Sequence, residues 1–197
     1  MTARPFHHGN LRAVLLDQAE AVLRERGIDA LSLRELAREA GVSHGAPRSH
    51  FIDRSALLDA LAERGFVRLA DEIREAAARE PDDYARALHA AASAYVRFAV
   101  REPALLDLMF AAKVDAPSQA VRNAAERLFD TMTGIMSAGV GAGADDAGDV
   151  GRLTLLLAAT VQGISALVTS RRITMPQGEA LIDDAITRFL LGPSTRR

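Results

Sequence analysis

Apolar positions recur along the chain at intervals of three and four and nowhere alternate over the length of a strand, which predicts helices throughout. Leu11, Val14, Leu15, Ala19, Val22 and Leu23 fall on one stripe, giving a helix from about Asn10, a good N-cap, to Arg26, closed by Gly27. Ile28 and Leu31 then close the same core. Leu33, Leu36, Ala37 and Ala40 predict a short second helix. Ser32 stands at its N-cap with Glu35 three residues on, the spacing of a capping box. Gly41 follows the last apolar position, where a positive φ ends a helix at little cost, and Val42 packs back under the turn. Ser43 is a second N-cap, opening a third short helix through about His50. Pro47 falls at the end of its first turn, where a missing N–H does limited damage, and Phe51 faces inward.

Asp53 caps a long helix through about Arg79, with Leu57, Leu58, Leu61, Phe66, Leu69 and Ile73 on its inner side. Pro81, Asp82 and Asp83 break the chain, and a helix over about 83–101 turns Tyr84, Leu88, Tyr95, Phe98 and Ala99 inward. Pro103 opens a short helix holding Leu105, Leu106, Leu108, Met109 and Phe110. Pro117 opens another, over about 117–138, that contributes Val121, Leu128, Phe129, Met132 and Met136. The Gly-rich run at 139–151 is a linker. It is no phosphate loop, since no strand precedes it and no Lys follows, and it lacks the register and terminal Glu of a calcium loop.

The last two helices, about 150–170 and 177–191, are apolar over much of their circumference and need cover on more than one face. Pairing with the same two helices of a second copy gives a four-helix interface with two-fold symmetry. The residues expected there are Leu153, Leu157, Ile164 and Leu167 on the first helix, and Ile182, Ile186 and Phe189 on the second. The fold class is all-α, with about nine helices.

Composition narrows the chemistry. The chain has 197 residues, enough for one compact unit or two small ones, and no Cys, which excludes disulfides, thiolate catalysis and Cys-based zinc sites. No carboxylate pair or nucleophile–base spacing stands out, so neither an enzyme nor a cofactor is expected. His7 and His8 have no third ligand nearby, so no metal is expected either. The opening MTARPFHHGN lacks the apolar core of a signal peptide, and no apolar run is expected to span a membrane, so a cytoplasmic protein is predicted. The net charge of −2 first argues against nucleic acid. Its distribution says more: residues 1–54 hold eight Arg against seven acids, together with four of the five His, and the remainder is net acidic. Affinity for DNA would then come from placed contacts and not from bulk charge.

Two short helices joined by a three- or four-residue turn containing Gly form a helix-turn-helix, whose second helix enters the DNA major groove. Here that is SLRELAREAGVSHGAPRSHF, residues 32–51. The longer run has Ala19 and Gly27, then LSLR with Leu36, Ala37, Ala40, Gly41, Val42, Ser43 and Gly45, then His50, Phe51, Arg54, Leu57 and Leu58. It closely resembles the N-terminal domain of the TetR/AcrR family of bacterial transcriptional regulators. The resemblance is strong over about the first 65 residues; the remaining length and helical pattern agree with it more weakly. One position departs: the family usually carries an aromatic residue, typically Tyr, two or three places before the His-Phe pair, where this chain has Arg48. Arg can hold a phosphate as that Tyr does, or reach a guanine edge.

The resemblance implies a DNA-binding domain at 1–53 and a ligand-binding and dimerisation domain at 54–197. Candidate contacts to DNA are Ser32, Arg34, Ser43, His44, Gly45, Ala46, Arg48, Ser49 and Arg54, with Arg54 at the position where the family grips a phosphate. Arg4, His7 and His8 form a basic arm ahead of the first helix. The resemblance also implies an apolar cavity among the fourth to seventh helices. Its candidate lining is Phe66, Leu69, Phe98, Met109, Phe110, Phe129 and Met132, with Tyr95, His89, Thr133 and Gln162 as polar groups that orient a guest. The expected protein is a homodimeric, ligand-responsive regulator, a repressor in the first instance, whose partners are an operator duplex, a small effector and itself. Three readings compete: an activator with the same DNA-binding apparatus, a helical interaction module that has lost DNA binding, and an all-helical enzyme.

Overall fold

In the computed structural model the described residues are 11–43, 45–114, 117–139 and 147–191. Among them are eight α-helices, two 3-10 turns and no strand. The first helix, α1 (Leu11–Arg26), ends where Gly27 takes φ 79°, and a 3-10 turn (Ile28–Ala30) leads into α2 (Leu33–Glu39). Leu31 is buried as expected, but Ile28 is exposed. Gly41 adopts φ 66°, and the Val42 N–H returns to the Ala37 carbonyl at 3.0 Å, closing the helix end through the left-handed residue. The capping box does not form. The Ser32 side chain makes no cap bond, and Glu35 instead pairs with Arg38 one turn on, at 2.8 Å.

The expected third helix is also different: residues Ala46–Ser49 form a 3-10 turn. Its bonds run from Ala46 to Ser43, from Arg48 to Gly45 and from His50 to Pro47, each spanning three residues. Pro47 explains this. It supplies no N–H and disfavours the α conformation at Ala46 before it, and Gly45 adds little helix propensity. The expected nine helices therefore become eight and a turn. Pro47 and Phe51 are buried at this turn, whereas His50 is exposed.

Asp53 caps α3 (Arg54–Ala78) by accepting the Ala56 N–H at 2.8 Å. Helices α4 (Tyr84–Arg101), α5 (Pro103–Val114), α6 (Gln119–Gly139), α7 (Ala147–Thr169) and α8 (Met175–Leu191) follow. The chain divides into two compact units. The first comprises 1–65 with 104–122, the second 66–103 with 123–197. The division falls at 65/66, inside α3, because the first turns of that helix bury Leu57 and Leu61 in the core of the first unit with Leu15, Ala19, Leu23 and Leu36. Arg64 fastens the same stretch to α1, meeting Asp17 at 2.6 Å and the buried Glu20 at 3.3 Å.

In the second unit α4, α7 and α8 pack pairwise. Gly178 lets α8 approach α7 closely, since a Cβ there would lie 2.8 Å from Val168 Cγ2. Phe98 of α4 lies beneath two guanidinium groups, Arg68 at 5.2 Å and Arg101 at 5.6 Å from its ring centre. Arg101 in turn pairs with Glu72 of α3 at 2.7 Å, and Arg68 with the buried Glu102 at 3.4 Å. One sequence expectation is corrected here: Val150–Thr169 is, by length and composition, apolar enough to cross a membrane.

Candidate functional site

A 3-10 turn has three residues per revolution, so positions three apart share a face. Gly45 and Arg48 accordingly come to the same side and line one open groove with Leu33 and Arg34 of α2, Ile52, Asp53 and Arg54. Three guanidinium-bearing side chains thus converge on a single concave surface. Among the described residues neither Arg34 nor Arg48 has an ion-pair partner, so both charges are available. Arg54 is committed in part: its Nε donates to the Leu31 carbonyl at 3.0 Å and its Nη2 to the Ile28 carbonyl at 2.6 Å. Asp53, the one acid on the groove, is spent as the α3 cap.

Of the other residues expected to touch DNA, Ser32, Ser43, Ala46 and Ser49 do not line this groove. The Ser49 hydroxyl donates to the Ala46 carbonyl at 2.7 Å. The Ser43 carbonyl holds the Ala46 N–H. His44 and the arm with Arg4, His7 and His8 lie outside the described residues. Ile52 is the residue that sequence reasoning passed over. It is 81% exposed and sits among the three cations, held between buried Phe51 and the capping Asp53. The signal was available: a large aliphatic side chain next to a polar cap has no helical stripe to join.

A second feature lies within the second unit. A small cavity of about 50 Å³ is lined by Ile73 of α3, Leu88 and Tyr95 of α4, Met132 and Met136 of α6, and Thr154, Leu157 and Val161 of α7. Two of the expected lining residues, Tyr95 and Met132, are there. Phe66, Leu69 and Phe98 instead are packed solid in the core of the second unit, and Phe129 is half-buried away from the cavity. Met109 and Phe110 belong to the first unit. Apolar spacing marks an inward face but does not separate a side chain that fills the core from one that borders a gap. His89 turns outward to Asp183 at 3.2 Å, and the Thr133 hydroxyl is buried without lining the cavity.

The Tyr95 hydroxyl is buried without a hydrogen bond of normal geometry. Burial pushes its pKa up to about 12, an effect that the neighbouring Gln162 side chain only partly offsets. Tyr95 is therefore a neutral phenol at any physiological pH. Thr154, the other polar group on the cavity wall, donates its hydroxyl to the Val150 carbonyl at 2.8 Å.

The apolar faces of α7 and α8 differ from expectation. Ile164, Ile182 and Ile186 are buried within one chain, and Leu157 borders the cavity. Leu153, Leu167 and Phe189 are half-buried. The exposed apolar side chains are Leu155 (59%) and Leu156 (53%) on α7, with Leu181 and Leu190 on α8. On α7 the open stripe continues through Ala159, Gly163 and Ala166, small residues that permit close approach by another helix.

Residues 15–61 match the profile described as bacterial regulatory proteins, tetR family. Residues 88–189 match the tetracyclin repressor-like, C-terminal domain. No functionally curated protein matches the chain at a significant level. Among solved structures, a protein with unknown function from Rhodococcus sp. RHA1 is similar at 39% identity and a TM-score of 0.82, over 93% of this chain and 97% of that one. A transcriptional regulator from Rhodococcus sp. Rha1 is 24% identical with a TM-score of 0.72, over 91% of this chain and 96% of the other. The TetR family transcriptional regulator PfmR from Thermus thermophilus is 19% identical with a TM-score of 0.63, over 91% and 98%. At these last two identities the likeness is one of fold.

Proposed function

The chain belongs to the TetR family of bacterial transcriptional regulators, and on that premise we propose that it is a cytoplasmic, homodimeric repressor released from its operator by a small effector. The observation that carries the DNA-binding part is the groove where Arg34, Arg48 and Arg54 converge around the Gly45 turn. Arg54 and the N-terminus of α3 suit a phosphate. Arg48, free of ion pairs among the described residues, suits either a phosphate or a guanine edge in the major groove. Its guanidinium takes the place of the family's usual aromatic residue.

The open apolar stripe on α7 and α8 supports a dimer with two-fold symmetry, in which Leu155, Leu156 and Leu181 gain cover from a second copy. Two heads so related bind a pseudo-palindrome with half-sites one helical turn apart, roughly 34–36 Å. An effector in the cavity of the second unit releases DNA only by favouring a state whose heads are wrongly spaced. A coupling of about 1–3 kcal/mol between the two sites suffices for a several-fold to hundred-fold response.

The test is fluorescence anisotropy with the duplex upstream of the protein's own gene, across a salt series, followed by selection from random duplexes. Specific binding that weakens steeply with salt supports a regulator. A folded dimer that selects no duplex at low salt would favour the interaction-module reading instead.

A further inference from the structure

The wall of the second unit's cavity is apolar except for two hydroxyls, and only one of them is uncommitted. Thr154 spends its hydrogen on the Val150 carbonyl, one turn back on its own helix. Tyr95 does not: among the described residues its buried hydroxyl completes no hydrogen bond, although the residue is only 5% exposed and borders the gap. Gln162 comes near enough to influence the phenol but closes no hydrogen bond of normal geometry with it. A buried donor left without an acceptor is uncommon in a native interior and calls for an explanation. No Arg, Lys, His, Asp or Glu lines the cavity. A carboxylate or ammonium entering it would leave water with no counter-charge to meet it.

We propose that this cavity takes an uncharged, compact apolar molecule carrying one hydrogen-bond-accepting oxygen, which the Tyr95 hydroxyl orients. The inference rests on the effector-responsive reading above and names the chemical class of the effector. Size narrows the class further. The gap of about 50 Å³ holds a few water-sized groups, whereas an apolar cavity of about 150 Å³ accommodates benzene. A ring of five or six atoms therefore enters only as Met132 and Met136 move aside, which their unbranched, flexible side chains allow. The phenol stays neutral, so it donates its proton to the guest oxygen and presents no charge to it.

The experiment uses the full chain without DNA, with ¹³C-methyl methionine and NMR detection, so that the methyl groups of Met132 and Met136 report on the cavity and that of Met109 on the other unit. The probes are cyclohexanone and cyclohexanecarboxylate at pH 8. Cyclohexanone is expected to shift Met132 and Met136 saturably and leave Met109 in place, while the carboxylate shifts neither at the same concentration. Tyr95→Phe keeps the ring and the cavity, and is expected to weaken cyclohexanone binding about tenfold. Ala158→Leu, which fills the wall, is expected to abolish it, with unchanged helicity by circular dichroism and an unchanged methyl signal of Met175, in the second unit, reporting that both variants fold. Equal binding of the carboxylate, unaltered affinity in Tyr95→Phe, or no movement of either methyl group overturns the proposal. Because the readout contains no DNA, failure here leaves the DNA-binding reading standing, and failure to bind any duplex leaves this result standing.

Discussion

Arg54 is fastened to Leu31: its Nε donates to the Leu31 carbonyl at 3.0 Å while Nη2 of the same fork reaches the carbonyl of Ile28 at 2.6 Å. The side chain proposed to hold a phosphate thus also ties the start of α3 to the loop before α2. The two roles separate in two variants. Arg54→Lys keeps the charge but cannot span both carbonyls, so it should cost about 1–2 kcal/mol of stability for charge-assisted bonds at a partly exposed site. It should retain most of the salt dependence of DNA binding. Arg54→Ala should lose the same stability and also lower the salt slope by about one phosphate contact. Urea melts and anisotropy read the two effects, and an unchanged slope in Arg54→Ala would place the guanidinium off the DNA.

Ile52 presents the reverse case, a side chain that does nothing for the fold. It is 81% exposed, so Ile52→Ala should change stability by no more than about 0.5 kcal/mol. Set among Arg34, Arg48 and Arg54, it meets whatever lies between the groups those cations hold. On a duplex that is sugar or base methyl. Ile52→Ala should then weaken operator binding with the salt slope intact, because no phosphate contact is lost. Wild-type affinity in this variant would show that the residue points past the duplex.

The same residues show how far the sequence carries. Helical spacing located all eight α-helices and overcalled one, the short helix expected from Ser43 to His50, because a stripe such as Leu57, Leu61, Leu69 and Ile73 has one physical reading only in a long amphipathic segment. That short helix failed because the Pro47 ring outweighs a stripe only a few residues long, and the Ser32 cap failed because a capping pattern supplies only the option of a bond. Arg34, Gly45, Arg48 and Arg54 were legible from the helix-turn-helix pattern and the family resemblance, and the structure brings them to one groove. The cavity was only partly legible. Tyr95 and Met132 border it, yet Phe66, Leu69 and Phe98 carry the same inward signal and are simply packed. On α7 and α8 the sequence marks apolar surface without saying which neighbour takes it. Ile182 went to the chain's own core and Leu155 and Leu156 did not.

That division makes the dimer testable by a pair of substitutions on neighbouring helices. Leu156→Arg places a charge on the open stripe of α7 and leaves the intrachain core alone. Two copies of a leucine lose roughly 1.5–3 kcal/mol of burial each, so dimer affinity should fall at least about a hundredfold. Sedimentation should find folded monomers. Ile182→Arg, at a position 1% exposed, should instead unfold the second unit, visible as lost helicity by circular dichroism. A Leu156→Arg protein that stays dimeric would move the interface to another face.

Tyr95 also predicts how stability responds to alkali. Its phenol has a folded pKa of about 12 against an ordinary value of 10.0, raised chiefly by burial. In the unfolded chain the group loses its proton near pH 10, while the folded protein keeps it bound. Between these values the unfolded state holds fewer protons, so stability falls as pH rises, at up to about 1.4 kcal/mol per pH unit from this group. Below pH 10 its contribution is constant. Tyr95→Phe removes the titration along with the unpaired hydroxyl, so the variant should be as stable as wild type or about 1 kcal/mol more stable at pH 7. Its advantage should widen steadily above pH 10. Denaturant melts of both proteins from pH 9 to 11.5 measure the difference directly, with the background loss from Tyr84, whose pKa is also raised by burial, common to both. Parallel curves would mean that the Tyr95 hydroxyl is solvated in the native protein, and the cavity would lose the group that sets its preference.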